Sequence, residues 1–234
     1  KHGRDWERYA YVKARVVGTQ PPEKIAAELN DNMIRPFVYR RYLDYGVFEF
    51  VREMQDMITA EVRRRELQDN VKLGPGGIRE AEFIVQALQL VRGGSEPQLQ
   101  GCEFQKVLPL LVSERGISQP DADEILNSYR YLRRLENFIQ AIRDEQAHEL
   151  PANDIDRARL CLATRSESWD ALIVELDRHR HAISAQFNAV AFRGRSDENP
   201  KWQVFGRLWN TSASASDWSK ALDSKFADEL ATGI

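Results

Sequence analysis

Gly74-Pro75-Gly76-Gly77, followed at once by Ile78-Arg79-Glu80-Ala81-Glu82-Phe83, is the stretch that decides the fold of this chain. Three glycines and a proline in four positions break any preceding element, and the apolar segment after them has helical spacing. The predicted helix 78–91 has a single polar strip, formed by Arg79, Glu82, Gln86 and Gln89. Because the rest of its circumference is apolar, we expect this helix to lie at the centre of the fold.

Helical periodicity continues on both sides of the predicted central helix. Further helices are predicted at 5–17, 23–35, 47–67, 104–115, 119–147, 155–163 and 169–192. Pro36 and Pro109 are expected to kink or end their helices. The sequence contains no convincing alternating run of the kind that forms strands, and no internal repeat. The predicted fold class is therefore all-α, a multi-helix bundle.

Composition excludes several classes of function. The chain has 234 residues, 29% of them charged, and a net charge of −3, which argues against a general nucleic-acid binder. It has no apolar run long enough for a membrane span. Cys102 and Cys161 are expected to be free thiols of a cytoplasmic protein. His179 and His181 lack partners at zinc-site spacing and are expected on a solvated helix face.

The glycine loop has two possible roles. A helix N-terminus can receive an anion such as phosphate, and Lys72 and Arg79 flank the loop with positive charge. The loop is not a Walker A motif, because its lysine precedes the glycines. A tight turn between two helices also needs glycine, and the residues taken alone favour that turn.

Several charged residues fall where the pattern predicts apolar or metal-binding positions. Lys13, Glu80 and Glu136 each interrupt an apolar helix face. They either form buried ion pairs or line a polar cleft, and both alternatives stay open. Asp154 and Asp156 have the Asp-x-Asp spacing of a Mg²⁺ site, but they begin a helix, so we expect them to complement its N-terminus.

Three segments taken together resemble a known family. They are Gly3-Arg4-Asp5-Trp6-Glu7-Arg8-Tyr9-Ala10 with Val12–Arg15, then Lys72–Gln86, and then Leu132–Asn137 with Asp144–Gln146 and Leu150-Pro151. In this order and at these distances they closely resemble the glutamine synthetase adenylyltransferase/adenylyl-removing enzyme family, specifically its N-terminal, deadenylylating half. The resemblance extends from Gly3 to Phe192, and the Trp-rich stretch after Pro200 is similar, less specifically, to the connection toward the second half.

The resemblance implies a polymerase-β-like nucleotidyltransferase domain followed by a helical bundle. Residues 1–18 would be the last helix of the first domain, 19–192 the bundle, and 193–234 a linker with the start of the connection. The family's reaction in this half is phosphorolysis: phosphate attacks the adenylylated tyrosine of glutamine synthetase and releases ADP. The family's metal-binding carboxylates would lie upstream of residue 1, so we expect no catalytic residue, no bound metal and no activity in this chain alone.

The resemblance also implies partners and site residues. The parent enzyme would use Mg²⁺, bind ATP or ADP and phosphate, and regulate nitrogen assimilation through glutamine synthetase and the PII signalling protein. Lys13 and Lys72 would face phosphates across the interdomain cleft, helped by Arg79 and the Gly76 and Gly77 amides. The residues expected in a polar cleft or a structural ion pair are Glu80, Glu82 and Glu136.

Two other functions are weighed against this one. A non-catalytic helical module would bind glutamine synthetase or PII and carry regulation between the halves of the enzyme. The related PII uridylyltransferase is a weaker alternative, because Asp5–Tyr9 and Val12–Arg15 argue against it.

Overall fold

The computed structural model describes residues 5–17, 22–39, 60, 62, 64, 67–113 and 116–196. Within these ranges the regular structure is helical, and isolated β-bridges take the place of strands, Asn70 with Glu149 and Val112 with Ile117. The predicted all-α fold class is confirmed for this part of the chain. None of the helices described there is long and apolar enough to cross a membrane.

The helices follow the predicted order. They are α1 Asp5–Tyr11, α2 Pro22–Leu29, α3 Arg35–Val38, α4 Ile78–Arg92, α5 Phe104–Val107, α6 Gln119–Arg143, α7 Asp154–Thr164 and α8 Trp169–Ser196. A π-helical turn, Asn30–Ile34, joins α2 to α3, so the chain passes the predicted kink at Pro36 without leaving helical geometry. The predicted helix 47–67 lies outside the described residues except at 60, 62 and 64, which are helical.

Three predicted helices are shorter in the structure. The helix predicted at 5–17 ends at Tyr11, and the one predicted at 104–115 becomes a 3₁₀ turn from Leu108. The helix predicted at 119–147 ends at Arg143, because Asp144 adopts a left-handed conformation with φ 54°. Helix α4 agrees with its prediction to within one residue.

The chain divides into two compact units, residues 1–191 and residues 192–234. The first contains nearly all of the described residues. Assignment of residues 1–18 to a different domain, and of residues 193–234 to a linker and connection, stays a prediction. Of the second unit, only the end of α8 up to Ser196 is described.

Helix α4 is the centre of the first unit, as predicted. Its Phe83 stacks on Tyr9 with ring centroids 4.6 Å apart and meets Phe187 of α8 edge-on at 5.9 Å. Two members of its predicted polar strip, Gln86 and Gln89, are buried. Gln89 stays satisfied because its amide nitrogen donates to the carbonyls of Leu99 and of Gly101, the latter at 2.8 Å. Polar residues on α4 therefore serve the packing of neighbouring turns.

Arg8 corrects the prediction for the first helix. The periodicity places it on the exposed face, but it is 1% exposed, and its Nη2 donates to the carbonyl of Val38 at 3.2 Å. Val17, expected on the apolar face, is 77% exposed because the helix has already ended at Tyr11. A partner 30 residues away thus decides the environment of Arg8.

Side-chain caps start α6 at the predicted residue and α7 one residue before the predicted one. Ser118 accepts a hydrogen bond from the Asp121 amide, with proline in the first turn of α6. Asn153 accepts from the Asp156 amide at 2.9 Å and donates to the Asp156 carboxylate at 2.7 Å. Both caps satisfy amides that would otherwise lack intrahelical partners.

Candidate functional site

Asn70 shapes the start of the glycine loop. Its side-chain oxygen accepts from the amides of Lys72 at 3.0 Å and Leu73 at 2.8 Å, and its carbonyl accepts from Gly74 at 2.9 Å. This Asx turn reverses the chain just before α4. The same carbonyl also accepts from Nη2 of Arg180 at 3.2 Å, which attaches the loop to α8.

Gly76 lets the loop contact α8 directly. Its φ is +65°, and a Cβ there would clash with the carbonyl oxygen of Arg180. The Gly76 amide donates to the Glu80 carboxylate at 3.0 Å, and the Ser184 hydroxyl donates to the same oxygen at 3.0 Å. Burial raises the pKa of Glu80, although both hydrogen bonds oppose that shift. Glu80 is therefore a structural link between the loop and α8.

The first-turn amides of α4 are bonded within the chain. The Ile78 amide donates to Val71 and the Arg79 amide to Lys72, both at 3.1 Å, while the Gly77 amide donates to Gly74 at 3.0 Å. The amides of Glu80 and Ala81 both donate to the Gly77 carbonyl. The amides of Gly76 and Gly77 also donate hydrogen bonds within the chain. This geometry agrees with the tight-turn role of the glycine loop, and these amides do not form a cradle for an anion.

Glu136 is the buried centre of one half of the candidate site. Its side chain is 3% exposed, and Nη1 of Arg133 lies 2.6 Å from Oε2. On Oε1, Nδ1 of His148 lies at 3.0 Å and Nζ of Lys72 at 3.8 Å. A carboxylate removed from water is costly unless cations and hydrogen bonds surround it. Arg133 donates a hydrogen bond to Glu136, and Arg133 and Lys72 supply positive charge.

Glu82 organises the other half of the site. Nζ of Lys13 lies 2.6 Å from its Oε2, and the Tyr129 hydroxyl donates to its Oε1 at 3.4 Å. Burial, with the charge of Glu82 next in weight, raises the pKa of Tyr129 to about 12, so the phenol stays protonated and remains a donor. Lys13 follows α1 and Tyr129 belongs to α6, so Glu82 joins both to α4.

We call these side chains the anchored cation cluster, defined by Lys13, Lys72, Arg133, Glu82 and Glu136. The carboxylates are 23% and 3% exposed, whereas Lys13, Lys72 and Arg133 are 42%, 40% and 45% exposed. One buried and one half-buried carboxylate therefore hold cations whose outer parts face solvent. Three positive charges against two negative ones leave a surplus that suits an anionic ligand such as phosphate.

The structure brings only some of the predicted site residues together. Lys13, Lys72, Glu82 and Glu136 belong to the cluster, and Lys13 and Glu136 both form ion pairs, which was one of the two open alternatives for them. Arg79 is exposed one turn before Glu82 on α4. Glu80, Gly76 and Gly77 serve the loop.

Arg133, Tyr129 and His148 are site residues that the sequence prediction did not include. Tyr129, Arg133 and Glu136 are spaced four and three apart, which is the signal that places them on one face of α6. His148 carries no comparable signal. It reaches Glu136 because its carbonyl accepts from the Val71 amide at 2.8 Å, across the connection between α6 and α7.

The described residues do not fit the Mg²⁺ that the resemblance implies for the parent enzyme. No cluster of three or more metal-binding side chains occurs in the described ranges. The side chain of Asp154 is fully exposed, and Asp156 is tied to Asn153 and to Arg159, 2.9 Å away. The helix-start interpretation of these aspartates is therefore supported.

Cys102 and Cys161 are free thiols, as predicted.

His179 is buried, which corrects the prediction of a solvated face, whereas His181 is exposed. The Nδ1 atom of His179 lies 2.9 Å from the Ser128 hydroxyl, and its Nε2 atom lies 3.1 Å from the Glu175 carboxylate. This order of groups is that of a catalytic triad, but Ser128 is 1% exposed on α6 and inaccessible to substrate. The arrangement joins α6 to α8.

Comparison with known proteins adds a family to this geometry. A family model described as GlnD PII-uridylyltransferase matches residues 52–191, more than half of the chain. The match covers every member of the anchored cation cluster except Lys13. It relates the chain to nucleotidyltransferases and supports a regulatory nucleotidyl-transfer role, without specifying glutamine synthetase as the target. Asp5–Tyr9 and Val12–Arg15, which belong to the first of the three segments that carry the resemblance to the adenylyl-removing family, lie outside the matched residues. The chain belongs to the GlnD PII-uridylyltransferase family.

Proposed function

We propose that this chain is the helical part of the enzyme half that removes AMP from adenylylated glutamine synthetase by phosphorolysis. One observation carries the proposal: the three segments that resemble this family meet in the anchored cation cluster. Lys13 of the first segment contacts Glu82 of the second. Glu136 of the third contacts Lys72, which begins the second. Tyr129, which donates to Glu82, also lies within electrostatic range of Arg133 and Glu136, so the two ion pairs adjoin.

The cluster suits the charge changes of this reaction. A phosphate oxygen forms a bond to the AMP phosphorus, the bond from that phosphorus to the tyrosine oxygen breaks, and the tyrosine oxygen takes a proton. The products are ADP and unmodified glutamine synthetase. Cations held beside the phosphates stabilise the negative charge that the two anions bring together. In the proposal, Lys13, Lys72 and Arg133 supply this charge, while Glu82 and Glu136 hold them in place.

The other requirements of the reaction are proposals too. Because the described residues do not fit Mg²⁺, the metal would be bound by another part of the full-length enzyme, along with ATP or ADP. The PII protein is the proposed regulatory partner, and the cytoplasm the proposed location.

A second function is favoured by the family match itself. In that alternative the chain belongs to an enzyme that adds UMP to the PII protein or removes it. The cluster would then neutralise the phosphates of UTP or of uridylylated PII, so the geometry alone does not separate the two substrates.

Product analysis with the full-length protein that contains this chain separates these functions. The protein is incubated with Mg²⁺ and, in separate reactions, with adenylylated glutamine synthetase plus phosphate, with uridylylated PII, and with PII plus UTP. We expect phosphate-dependent ADP in the first reaction only. UMP or pyrophosphate from the others, without ADP, would establish the second function. Binding of glutamine synthetase or PII with no product in any reaction would establish the non-catalytic interaction module.

A further inference from the structure

A cavity of about 410 Å³ lies on the side of α6 away from the anchored cation cluster. Its walls come from α6 and from the end of α7. At about 100° per residue, Tyr131, Arg134 and Phe138 lie roughly opposite Tyr129, Arg133 and Glu136. The volume falls within the usual range for small-molecule sites. The cavity is therefore separate from the candidate site described above.

The lining combines flat apolar side chains with two positive charges. Tyr131, Leu135, Phe138 and Ala163 supply the apolar surface, and Arg134 and Arg165 supply the guanidinium groups. No Asp or Glu is among the described residues that line the cavity. Among the described residues neither arginine has an ion-pair partner, in contrast to Arg133, which Glu136 holds at 2.6 Å. Both arginines are thus available to an anion.

One wall of the cavity is held rigidly. The Tyr131 ring stacks on His179 with centroids 4.2 Å apart, and His179 bonds to Ser128. The Thr164 hydroxyl, which also lines the cavity, already donates to the Leu160 carbonyl at 2.8 Å. Polar recognition of a ligand therefore depends on the two guanidinium groups, while the aromatic and aliphatic walls take a flat body.

Arg165 occupies a backbone position that favours glycine. It follows α7 with φ 60°, in the left-handed conformation that ends many helices, and its amide donates to the carbonyls of Cys161 and Leu162. A side chain at this position costs conformational energy that glycine would avoid. The Arg165 guanidinium is thus placed beside the cavity at a cost in backbone conformational energy.

We propose that this cavity binds a nucleoside monophosphate. The two guanidinium groups would hold the phosphate through charge-assisted hydrogen bonds, and the base would lie against Tyr131 and Phe138. A single phosphate matches two cations that have no ion-pair partner in the described part of the chain, and the cavity volume matches a ligand of this size.

Calorimetric titration of the chain tests this proposal. The probes are AMP, UMP, adenosine and inorganic phosphate. We expect AMP, UMP or both to bind, with adenosine and phosphate at least about tenfold weaker. Absence of saturable binding of either nucleotide up to about 10 mM would overturn the proposal, as would phosphate binding as tightly as the nucleotides.

Variants locate the binding. Arg165→Gly removes a guanidinium while relieving the left-handed strain, so it should weaken nucleotide binding about tenfold or more without lowering the melting temperature. Arg134→Gln should weaken binding similarly. Arg130→Gln is the matched control, since Arg130 lies on α6 outside the lining and bonds to Gln105. Binding that is lost in Lys72→Gln but kept in Arg165→Gly would place the nucleotide at the anchored cation cluster and overturn the proposal.

Discussion

Single residues in the glycine loop act through contacts with other elements. Gly76 combines a positive φ with an approach to Arg180 that leaves no room for a Cβ. Its amide and the Ser184 hydroxyl converge on Glu80. A residue that looked like half of a phosphate cradle therefore joins α4 to α8.

Gly76→Ala should destabilise the protein by about 2–4 kcal/mol, since it adds both a left-handed strain and a backbone clash. Urea unfolding of the wild type and the variant measures the change. Gly101→Ala is the control, because the φ of Gly101 is not left-handed and a Cβ there meets a side-chain methyl of Val107, at 3.0 Å, rather than a backbone carbonyl. Equal stability of the two variants would show that the loop does not contact α8 as described.

His179 should make the free energy of unfolding depend on pH. Burial, followed by the charge of Arg178, lowers the pKa of His179 below 6.5. The unfolded chain then takes up a proton that the folded chain resists. The His179 contribution to stability is therefore complete above pH 6.5 and is lost as the pH falls through the folded-state pKa.

Urea unfolding of the wild type and His179→Gln, from about pH 8 to pH 5, measures this effect. The stability advantage of the wild type should shrink toward low pH, by at most about 1.4 kcal/mol per pH unit for one proton. Parallel curves for the two proteins would contradict a buried neutral His179.

At the scale of elements, helix starts are set by local caps that are visible in the sequence. Asn153 both accepts from the Asp156 amide and donates to its carboxylate, so α7 begins where the cap is placed. Asp154 beside it is fully exposed. The Asp-x-Asp pair thus has one structural member and one solvated member.

Asn153→Ala should lower stability by about 1–2 kcal/mol, because it removes the cap and leaves Asp156 with fewer partners. Thermal unfolding measures the loss. Asp154→Asn, which changes an exposed carboxylate on the same helix, should shift the melting temperature far less. A larger shift for Asp154→Asn, especially one dependent on Mg²⁺, would restore the metal interpretation of this pair.

Features set by neighbouring residues could be predicted from the sequence, whereas features set by contacts between distant elements could not. Helix α4 was predictable because its periodicity and the glycine loop before it are local signals, and the starts of α6 and α7 lie next to residues that cap them locally, Ser118 and Asn153. The environment of Arg8 was not, since its partner Val38 belongs to another element. The ion pairs of Lys13 and Glu136 were foreseen as one alternative, but His148 joins Glu136 only through the fold.

At the scale of the whole molecule, the anchored cation cluster is the feature that connects fold with function. Its lysines and arginine come from the segment after α1, the glycine loop and α6, and carboxylates on α4 and α6 hold them. A purely structural cluster and a phosphate-facing one have the same contacts. They differ in what happens when a cation is replaced by a neutral side chain.

The direct test is the rate of phosphate-dependent ADP release from adenylylated glutamine synthetase by the full-length protein that contains this chain. Lys13→Gln and Lys72→Gln each remove a charge that is about 40% exposed and should each lower this rate about tenfold or more. Lys106→Gln, an exposed lysine paired with Glu103, is the matched control. We expect slow turnover with melting temperatures close to that of the wild type. Unchanged turnover in both variants, or a loss of turnover that follows a loss of folding, would contradict it.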